Sequence, residues 1–493
     1  QFDPPETRHC HFSNSTTWTP ERHFYHGFKN VQTERGPVGY YKIPASELGY
    51  EPGKAPKFLL QQVECPAELL FMSARRAMND PDTLTWEQAM SESPVNVKKW
   101  LDAAAKEIKA LEDKHTFDEV AEAEATVKVI PGVWIFKRKR AAGTGEITKW
   151  KARWALRGDL QDLDFDTHAP TVGWSTVRLF LSVCLILGWT MKALDFTNAF
   201  CQSYLRPDTP VYAYLPRGFR AMTEAAPGQR TILKLRKSQY GLTIAPKLWY
   251  EHLRKALTDM GFTPSKIDPC LLYKKDMLLI TYVDDCGLGC KDPKMADWFL
   301  QELRKRGFEL DIEGDFTAFL GVAIEKQEDG TIHMHQRGLI EKILAAADMT
   351  TCNPNHTPAT PGAALGAHKD AEPWPQTPWR YSSIVGMLVY LAINTRPDIA
   401  FAVSQVGRFN AAPKMPHAVA VKMILRYLAG TSDKGIIINP SKRFQLLTYV
   451  DADFCGLFGY EDSADKNSAR SRGAYIMIFG GVPLIWKTWL ITR

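Results

Sequence analysis

The sequence has no hydrophobic run long enough to cross a bilayer and no secretory signal. Its longest nearly continuous apolar segment, residues 179–189, is shorter than the roughly 20 residues that a membrane-spanning helix needs. We therefore predict a buried helix there and expect no membrane contact. The chain opens with Gln1 rather than Met, and we interpret it as a piece of a longer protein.

The nine cysteines have no framework spacing, and the glycine fingerprint of a dinucleotide-binding fold is absent. This pattern favours a reduced compartment and argues against a disulfide scaffold. Segments typical of strands and helices alternate without the regular rhythm of βαβ units. The sequence therefore predicts an α+β fold with a mixed sheet.

Positive charge is modest overall, at a net +6, but it is concentrated between residues 134 and 157, where Glu146 is the single acid. The bases of this stretch are Lys137, Arg138, Lys139, Arg140, Lys149, Lys151, Arg153 and Arg157. Its large aromatic residues are Trp134, Phe136, Trp150 and Trp154. Basic and aromatic residues together favour contact with phosphates and bases. The alternative is a solvated hairpin with its apolar residues on one face.

Hydrophobic periodicity and capping residues locate the main elements. Residues 175–188 predict a helix, and residues 190–196 predict a strand. Two strands joined by a glycine-containing turn at 141–146 are expected around the basic stretch, and the proline-containing segment 351–378 predicts a linker or surface loop. The other predicted helix boundaries are a start at Ser93-Pro94 and ends at Gly261 and Gly430.

Two apolar strands end in aspartate. Residues 190–196 carry Asp195, and residues 277–283 run into the pair Asp284-Asp285. Burying a carboxylate without a partner costs on the order of several kcal/mol, so these three carboxylates need a cation if the strands are neighbours. Mg²⁺ prefers oxygen ligands, and two ions about 4 Å apart can clamp an in-line phosphoryl displacement. The alternative for the pair is a polar hairpin turn, since Asp favours turns.

The tetrapeptide Tyr282-Val283-Asp284-Asp285 resembles the active-site hairpin of reverse transcriptases. Further matches over residues 86–486 follow the order found in the Pol polyprotein of copia-type LTR retrotransposons. The matching segments are WIFKRKR, KWKARWALRG, LDFTNAF, VYAYLPRGF, LKLRKSQYGLTIAPKLWY, GFTPSKIDPCLLYKK, LLITYVDD, FLGVAIE, YSSIVGMLVYLAINTRPDIAFAV, LRYLAGT and YVDADFCG. The resemblance implies an RNA-directed DNA polymerase.

The resemblance also implies a right-hand fold of fingers, palm and thumb, with a helical connection and a truncated RNase H-like α/β domain. The expected divisions are an N-terminal linker of unknown role at 1–84, fingers and palm with the start of the thumb at 85–345, a proline-rich linker at 346–380, a helical thumb or connection at 381–440 and the partial RNase H-like domain at 441–493.

Residue roles follow from the same resemblance. Asp195, Asp284 and Asp285 match the catalytic, metal-binding aspartates, with the backbone carbonyl of Phe196 as an extra ligand. Phe200 matches an aromatic gate that excludes a 2′-hydroxyl, and a core aromatic residue is the alternative. The matches to nucleotide-binding segments are Lys139 and Arg153 in the fingers, with Lys137 and Lys151 as alternatives, and Tyr240 and Gly241 under the templating base.

The implied partners are an RNA template, a DNA primer and product, dNTPs and the other Pol and Gag parts of the element. The implied cofactors are two Mg²⁺ ions, with Mn²⁺ as the alternative. A cytoplasmic virus-like particle is the implied location, with the nucleus as the alternative, and the oligomeric state is not implied.

Two departures from the family pattern affect the substrate side. Thr243-Ile244 stands where the family usually has Lys-Gln, which removes a charge near the substrate. Asp311, Glu313 and Asp315 stand where lysines are common, and we expect them to weaken contact with the primer or the triphosphate.

The C-terminal match is incomplete. Asp451 matches the first metal ligand of an RNase H domain whose other carboxylates would follow Arg493, so we expect no RNase H activity from this chain. The alternative to an active enzyme is an inactive or domesticated fragment that binds nucleic acid without polymerising. The intact aspartates and Phe200 argue against that alternative.

Overall fold

The computed structural model describes residues 24–25, 43–44, 82–140, 146–161, 166–219, 229–360, 365–439, 444–456 and 470–491. The chain divides into two units, Gln1–Ser73 and Ala74–Arg493. In the first unit, strands β1 (Phe24–Tyr25) and β2 (Ile43–Pro44) pair antiparallel. All elements that follow β2 belong to the second unit. The predicted segment 1–84 and the predicted turn 141–146 lie mostly outside the described residues.

The helices of the second unit agree with the capping signals to within about two residues. The described α-helices are α1 (Trp86–Met90), α2 (Pro94–Asp113), α3 (Trp174–Leu187), α4 (Ala245–Asp259), α5 (Pro293–Lys305), α6 (Arg337–Ala346), α7 (Tyr381–Asn394), α8 (Ala400–Gly407) and α9 (Met415–Ala429). Ser93 is the N-cap residue of α2, and Gly430 follows α9 as its C-cap. Short 3₁₀ helices lie at Glu122–Glu124, Gly158–Leu160, Ala199–Gln202 and Pro397–Ile399.

The strands form several antiparallel sheets. The described strands are β3 (Thr83–Leu84), β4 (Phe117–Ala121), β5 (Val129–Ile130), β6 (Gly132–Arg140), β7 (Ile147–Leu156), β8 (Thr190–Phe196), β9 (Tyr212–Ala213), β10 (Thr231–Leu235), β11 (Thr263–Pro264), β12 (Leu271–Lys274), β13 (Met277–Tyr282), β14 (Asp285–Cys290), β15 (Leu310–Asp315), β16 (Ala318–Phe319), β17 (Val322–Lys326), β18 (Ile332–His335), β19 (Ile436–Ile438), β20 (Leu446–Ala452), β21 (Arg472–Phe479) and β22 (Val482–Leu490). Of the described pairings, only β5 with β9 is parallel. Packed helices beside mostly antiparallel sheets confirm the predicted α+β fold.

A six-stranded sheet in the order β11-β12-β13-β14-β8-β15 carries the residues of interest. Side chains alternate between the two faces of a strand, and Phe196 of β8 faces helices α4 and α5, where Trp249 and Phe299 are buried with it. The opposite face packs on α3. A Cβ atom on Gly289 would lie 2.4 Å from Cys184 Sγ of α3, so this glycine lets the helix approach the sheet closely.

The basic stretch forms the hairpin β6–β7, within the sheet β3-β6-β7. Trp134, Phe136 and Trp154 of this hairpin are buried, and Trp100 of α2 packs against them. These rings are therefore not available to stack on nucleic-acid bases. The alternative drawn from the sequence, a hairpin with its apolar residues on one face, describes them correctly.

The C-terminal part combines a helical core with two further sheets, β16-β17-β18-β19 and β20-β21-β22. Helices α6 to α9 share one core, which also holds Trp374 and Trp379. Both tryptophans come from residues 346–380, which the sequence predicts to be a proline-rich linker. These two tryptophans pack against the helices, so the end of this segment is not a free loop.

A buried arginine joins three of these parts. Arg178 of α3 donates hydrogen bonds to the carbonyl oxygens of Leu484 in β22 (2.7 Å) and Asn394 at the end of α7 (3.1 Å). Its guanidinium also lies 4.3 Å from the centroid of the Trp486 ring. Carbonyl oxygens and an aromatic face stabilise the buried charge. Arg178 thereby holds β22 and α7 against the helix that packs on the central sheet.

Candidate functional site

The strands that carry the predicted aspartates are neighbours in the central sheet. β14 pairs antiparallel with β8, and Asp285 lies directly opposite Asp195. β13 and β14 form a hairpin in which Tyr282 pairs with Asp285, so Asp284 occupies the turn. Cross-strand partners project from the same face of a sheet. The candidate catalytic residues therefore gather at one end of the sheet.

The turn of this hairpin is strained at Val283. This residue has φ = +56°, which is uncommon for a β-branched side chain, and the strand predicted to reach Val283 ends at Tyr282 for that reason. The indole Nε1 of the buried Trp249 donates a hydrogen bond to the Val283 carbonyl oxygen at 2.6 Å. Such strain persists only where the surroundings hold it. Trp249 therefore fixes the turn that presents Asp284.

The surroundings of the carboxylates disfavour their charge. Burial raises the pKa of Asp285 to about 6, with three nearby carboxylates (Asp284, Asp195 and Glu313) as the second cause. Burial also raises the pKa of Asp284, while Arg153 and, more weakly, Lys151 act in the opposite direction. This end of the sheet carries excess negative charge, which a cation would relieve.

Three other predicted residues contact one another beside the aspartates. The Arg153 guanidinium lies 4.6 Å from the centroid of the Tyr240 ring, and that ring meets Phe200 edge-on at 5.0 Å. Arg153 also lies close enough to Asp284 to lower its pKa. A cation, two aromatic rings and the aspartates thus form one continuous group.

Gly241 brings Tyr240 against strand β7. Its φ is +91°, and an added Cβ atom would lie 2.1 Å from the Leu156 carbonyl oxygen. The Leu156 amide donates to the Tyr240 carbonyl oxygen (2.8 Å), and the Gly158 amide donates to the Gly241 carbonyl oxygen (3.2 Å). Glycine alone combines this φ with so close an approach. The fold therefore requires glycine at position 241, independently of any ligand.

The remaining predicted residues have different settings. Lys139 pairs with Lys149 across the hairpin, and Arg153, not Lys139, is the residue that stacks on Tyr240. The Phe196 ring is buried 5.0 Å from the Trp249 ring, so its predicted metal contact would depend on the backbone carbonyl alone. Asp451 lies on the exposed strand β20 and accepts a hydrogen bond from the Ala452 amide (2.9 Å).

The acidic strand β15 lies beside Asp195. Asp311 is the cross-strand partner of Asp195 on the side away from β14. Arg304 donates a hydrogen bond to Asp311, and Lys192 donates one to Asp315, both at 2.7 Å. Two of the acids that we expected to weaken substrate contact are thus paired within the chain.

Packing accounts for part of the Thr243-Ile244 departure. Ile244 is 2% exposed and belongs to the same core as Leu242 and Leu248. A charged side chain at this position would have to leave that core, so Ile244 has a structural role in this chain.

Two residues beside the site, Trp249 and Glu107, were not among the predicted site residues. No sequence signal marks Trp249 as the donor to the Val283 carbonyl. Burial raises the pKa of Glu107 on α2, while Arg153 and the Trp154 backbone act in the opposite direction. The signal for Glu107 was its position three residues after the buried Ala104, which places it beside the buried face of the helix.

The donor set suits a hard divalent cation. The aspartates and the Phe196 carbonyl offer only oxygen atoms, which Mg²⁺ prefers. The ligand oxygens of the three carboxylates do not all lie within 4.8 Å of one another, whereas the ligand atoms of Glu325, His333 and His335 do. A divalent cation would offset the mutual repulsion of the three carboxylates. The residues present therefore fit a divalent metal.

Replacing Trp249 by Phe is expected to lower kcat of any reaction at the aspartates by about tenfold to a hundredfold with little change in KM. The substitution leaves the Val283 carbonyl without its donor and frees the turn that holds Asp284. Steady-state kinetics would measure the effect. Trp298→Phe on the exposed side of α5 is the matched control and should behave as wild type, whereas equal losses in both variants would contradict the role of Trp249.

Comparison with known proteins agrees with the geometry. The family described as reverse transcriptase (RNA-dependent DNA polymerase) matches residues 114–361, a range that includes all three aspartates. The chain belongs to the reverse transcriptase family. It is 34% identical over 398 residues to the "Retrovirus-related Pol polyprotein from transposon RE1" of Arabidopsis thaliana, which covers 79% of this chain and 26% of that relative.

Two other relatives extend the comparison. The "Retrovirus-related Pol polyprotein from transposon TNT 1-94" of Nicotiana tabacum is 30% identical over 370 residues, which are 72% of this chain and 26% of the relative. A transposon Ty5-1 protein of Saccharomyces cerevisiae is 29% identical over 299 residues, 60% of this chain and 92% of that protein. These matches confirm the resemblance to copia-type Pol polyproteins.

The chain spans about a quarter of the length of the Pol polyproteins that it matches. Family membership implies a general dependence on divalent metal and nucleic-acid substrates. Within the described part of the chain, the helices are too short or too polar to traverse a bilayer.

Proposed function

We propose that the chain is an RNA-directed DNA polymerase that extends a primer 3′ end with dNTPs and releases pyrophosphate. The observation that carries the proposal is the register of β8 and β14, which sets Asp195 opposite Asp285 beside the turn at Asp284. Three carboxylates at one end of a sheet carry the charge that two Mg²⁺ ions would balance. Mn²⁺ is the alternative ion.

The aspartates would hold the ions, with the Phe196 carbonyl as a further ligand. When bound, such ions lower the pKa of the primer 3′-hydroxyl and neutralise charge on the leaving pyrophosphate. The protein's own contribution is to fix the ligands. Asp195 and Asp285 lie on paired strands, and Trp249 holds the turn that carries Asp284.

The group formed by Arg153, Tyr240 and Phe200 would receive the incoming nucleotide. The guanidinium of Arg153 presents several donors that match the oxygens of a triphosphate. Phe200, held beside Tyr240, would lie under the sugar, where a ring excludes a 2′-hydroxyl and favours deoxynucleotides. Gly241 would set the height of Tyr240 under the templating base. Lys139, further along the hairpin, would contribute less to triphosphate binding.

The fold supports the right-hand architecture. The sheets that contain β3 to β7 would be fingers, the central sheet the palm, helices α6 to α9 the thumb and connection, and β20 to β22 with Asp451 the partial RNase H-like domain. The divisions at 85–345, 346–380, 381–440 and 441–493 belong to this proposal. So do the other Pol and Gag parts as partners and a virus-like particle in the cytoplasm, or alternatively the nucleus, as the location.

Primer extension tests the proposed activity. The chain is incubated with an RNA template annealed to a DNA primer, dNTPs and Mg²⁺, and the expected result is extension that EDTA abolishes and added Mg²⁺ restores. A folded protein that binds the primer–template without extending it would overturn the proposal in favour of a nucleic-acid-binding fragment. Binding through phosphates should weaken steeply as salt increases.

Replacing Arg153 by Gln is expected to raise KM for dNTPs by about tenfold to a hundredfold, since a lost charge-assisted hydrogen bond costs about 1.5–3 kcal/mol. Steady-state extension at varied dNTP concentration measures the effect, and Arg153→Lys should restore part of it. Lys149→Gln on the same strand is the matched control. A larger rise in KM for the control would move triphosphate binding away from Arg153.

A further inference from the structure

A second group of metal-ligating side chains lies outside the aspartate site. Glu325 on β17 is the cross-strand partner of His333 on β18, and His335 follows two residues later on the same face. The ligand atoms of these three side chains all lie within 4.8 Å of one another. His335 Nε2 is 2.9 Å from Glu325 Oε1, and the two imidazole rings lie 4.9 Å apart.

We propose that Glu325, His333 and His335 form a structural site for Zn²⁺. Two imidazole nitrogens and one carboxylate are donors that Zn²⁺ accepts at about 2.0–2.2 Å. The strands supply them from adjacent positions, so the backbone need not move to bring them together. Mg²⁺ requires oxygen ligands, and the proposed site is therefore chemically distinct from the aspartates.

The two histidines are partly buried, and the group is open to solvent on one side. The side chain of Glu325 is 56% exposed, which leaves one side of the site open for water.

Metal binding requires one change in hydrogen bonding. His335 Nδ1 accepts a hydrogen bond from the Arg337 amide at 3.4 Å, so the proton lies on Nε2, facing Glu325. Coordination through Nε2 needs the other tautomer. The long contact from Arg337 would be given up, and the ion would replace the proton shared by His335 and Glu325.

The positions of Glu325, His333 and His335 on β17 and β18 indicate which strand pairings a bound ion would stabilise. β18 also pairs with β19, with His333 opposite Ile437. Gly435 packs against the His333 ring, since a Cβ atom there would lie 2.9 Å from His333 Nε2. An ion would therefore hold strands β17 and β18 together. It would lie near β19, the edge strand of this sheet, which follows α9 in the chain.

Zinc binding in the presence of excess Mg²⁺ tests the proposal. Competition with a chelating dye should show one Zn²⁺ bound per wild-type chain, and binding should be lost in His333→Ala/His335→Ala. His356→Ala, at an exposed histidine, is the matched control and should bind as wild type does. Asp284→Asn/Asp285→Asn should also retain the ion, which separates this site from the aspartates.

Thermal unfolding supplies a second readout. Zn²⁺ should raise the Tm of the wild type and of His356→Ala but not that of the double-histidine variant, because a ligand stabilises only a fold that binds it. Should the double variant fail to fold, Glu325→Gln keeps both strands intact and is expected to weaken binding at least about tenfold. Wild-type protein that binds no Zn²⁺ at micromolar concentration, or Glu325→Gln that binds as tightly as wild type, would overturn the proposal.

Discussion

Replacing Asp284 and Asp285 by Asn is expected to reduce primer extension at least about a thousandfold, because the loss of ligand charge removes several kcal/mol of transition-state stabilisation. The fold should remain intact. Neutral amides remove the repulsion that, after burial, raises the pKa of Asp285, so Tm should equal or exceed that of the wild type. Single-turnover extension at saturating dNTP and thermal unfolding would measure both effects.

The matched control for this double variant is Asp276→Asn. Asp276 lies in the turn at the other end of β13 with φ = +61°, a conformation that Asn tolerates. It belongs to the same sheet but lies away from the three aspartates, and its variant should extend primers at the wild-type rate. Wild-type extension by Asp284→Asn/Asp285→Asn would exclude these residues from the chemistry.

Replacing Gly241 by Ala is expected to abolish extension and to lower the free energy of unfolding by about 2–5 kcal/mol, since positive φ costs about 1–2 kcal/mol and overpacking about 1–3 kcal/mol. The new Cβ atom would overlap the Leu156 carbonyl oxygen and push Tyr240 away from β7. Tyr240 carries the stack with Arg153, so the nucleotide-binding group would separate. Urea unfolding and primer extension would show the two losses.

Gly307→Ala separates the two causes. Gly307 has φ = +86°, close to that of Gly241, but nothing lies within 4 Å of its added Cβ atom. Its variant should show the backbone cost alone, about 1–2 kcal/mol, with extension retained. Equal effects in the two variants would mean that the contact with Leu156 is unimportant.

Local signals predicted the strands and the gathering of the aspartates well. The strand at 190–196 agrees residue for residue with β8, since apolar residues bounded by Gly188 and a polar turn leave few alternatives. The hairpin after Met277 was equally clear. The carboxylates at the ends of these strands could gather only if β8 and β14 paired. This pairing is the long-range contact on which the site depends.

What the sequence could not supply depends on contacts between distant segments. Trp249, which lies 34 residues earlier in the chain on α4, holds Val283 at its positive φ through a hydrogen bond. No local sequence pattern predicts that bond. The pairing of Asp315 with Lys192, 123 residues away in the chain, likewise changes an expected weakness into a balanced charge. The aromatic residues of the basic stretch were ambiguous because stacking on bases and packing in a core use the same side chains.

The contact between Arg178 and Leu484 determines how late in translation the packing of α3 can be completed. Its two ends are separated by 306 residues, and at about 5–20 residues per second a ribosome needs roughly 15–60 s to make that length. During this interval the guanidinium of Arg178 cannot bind the Leu484 carbonyl, because that residue has not been synthesised. The face of α3 that packs against β22 is then exposed. The packing of α3 is therefore completed only after β22 has emerged from the ribosome.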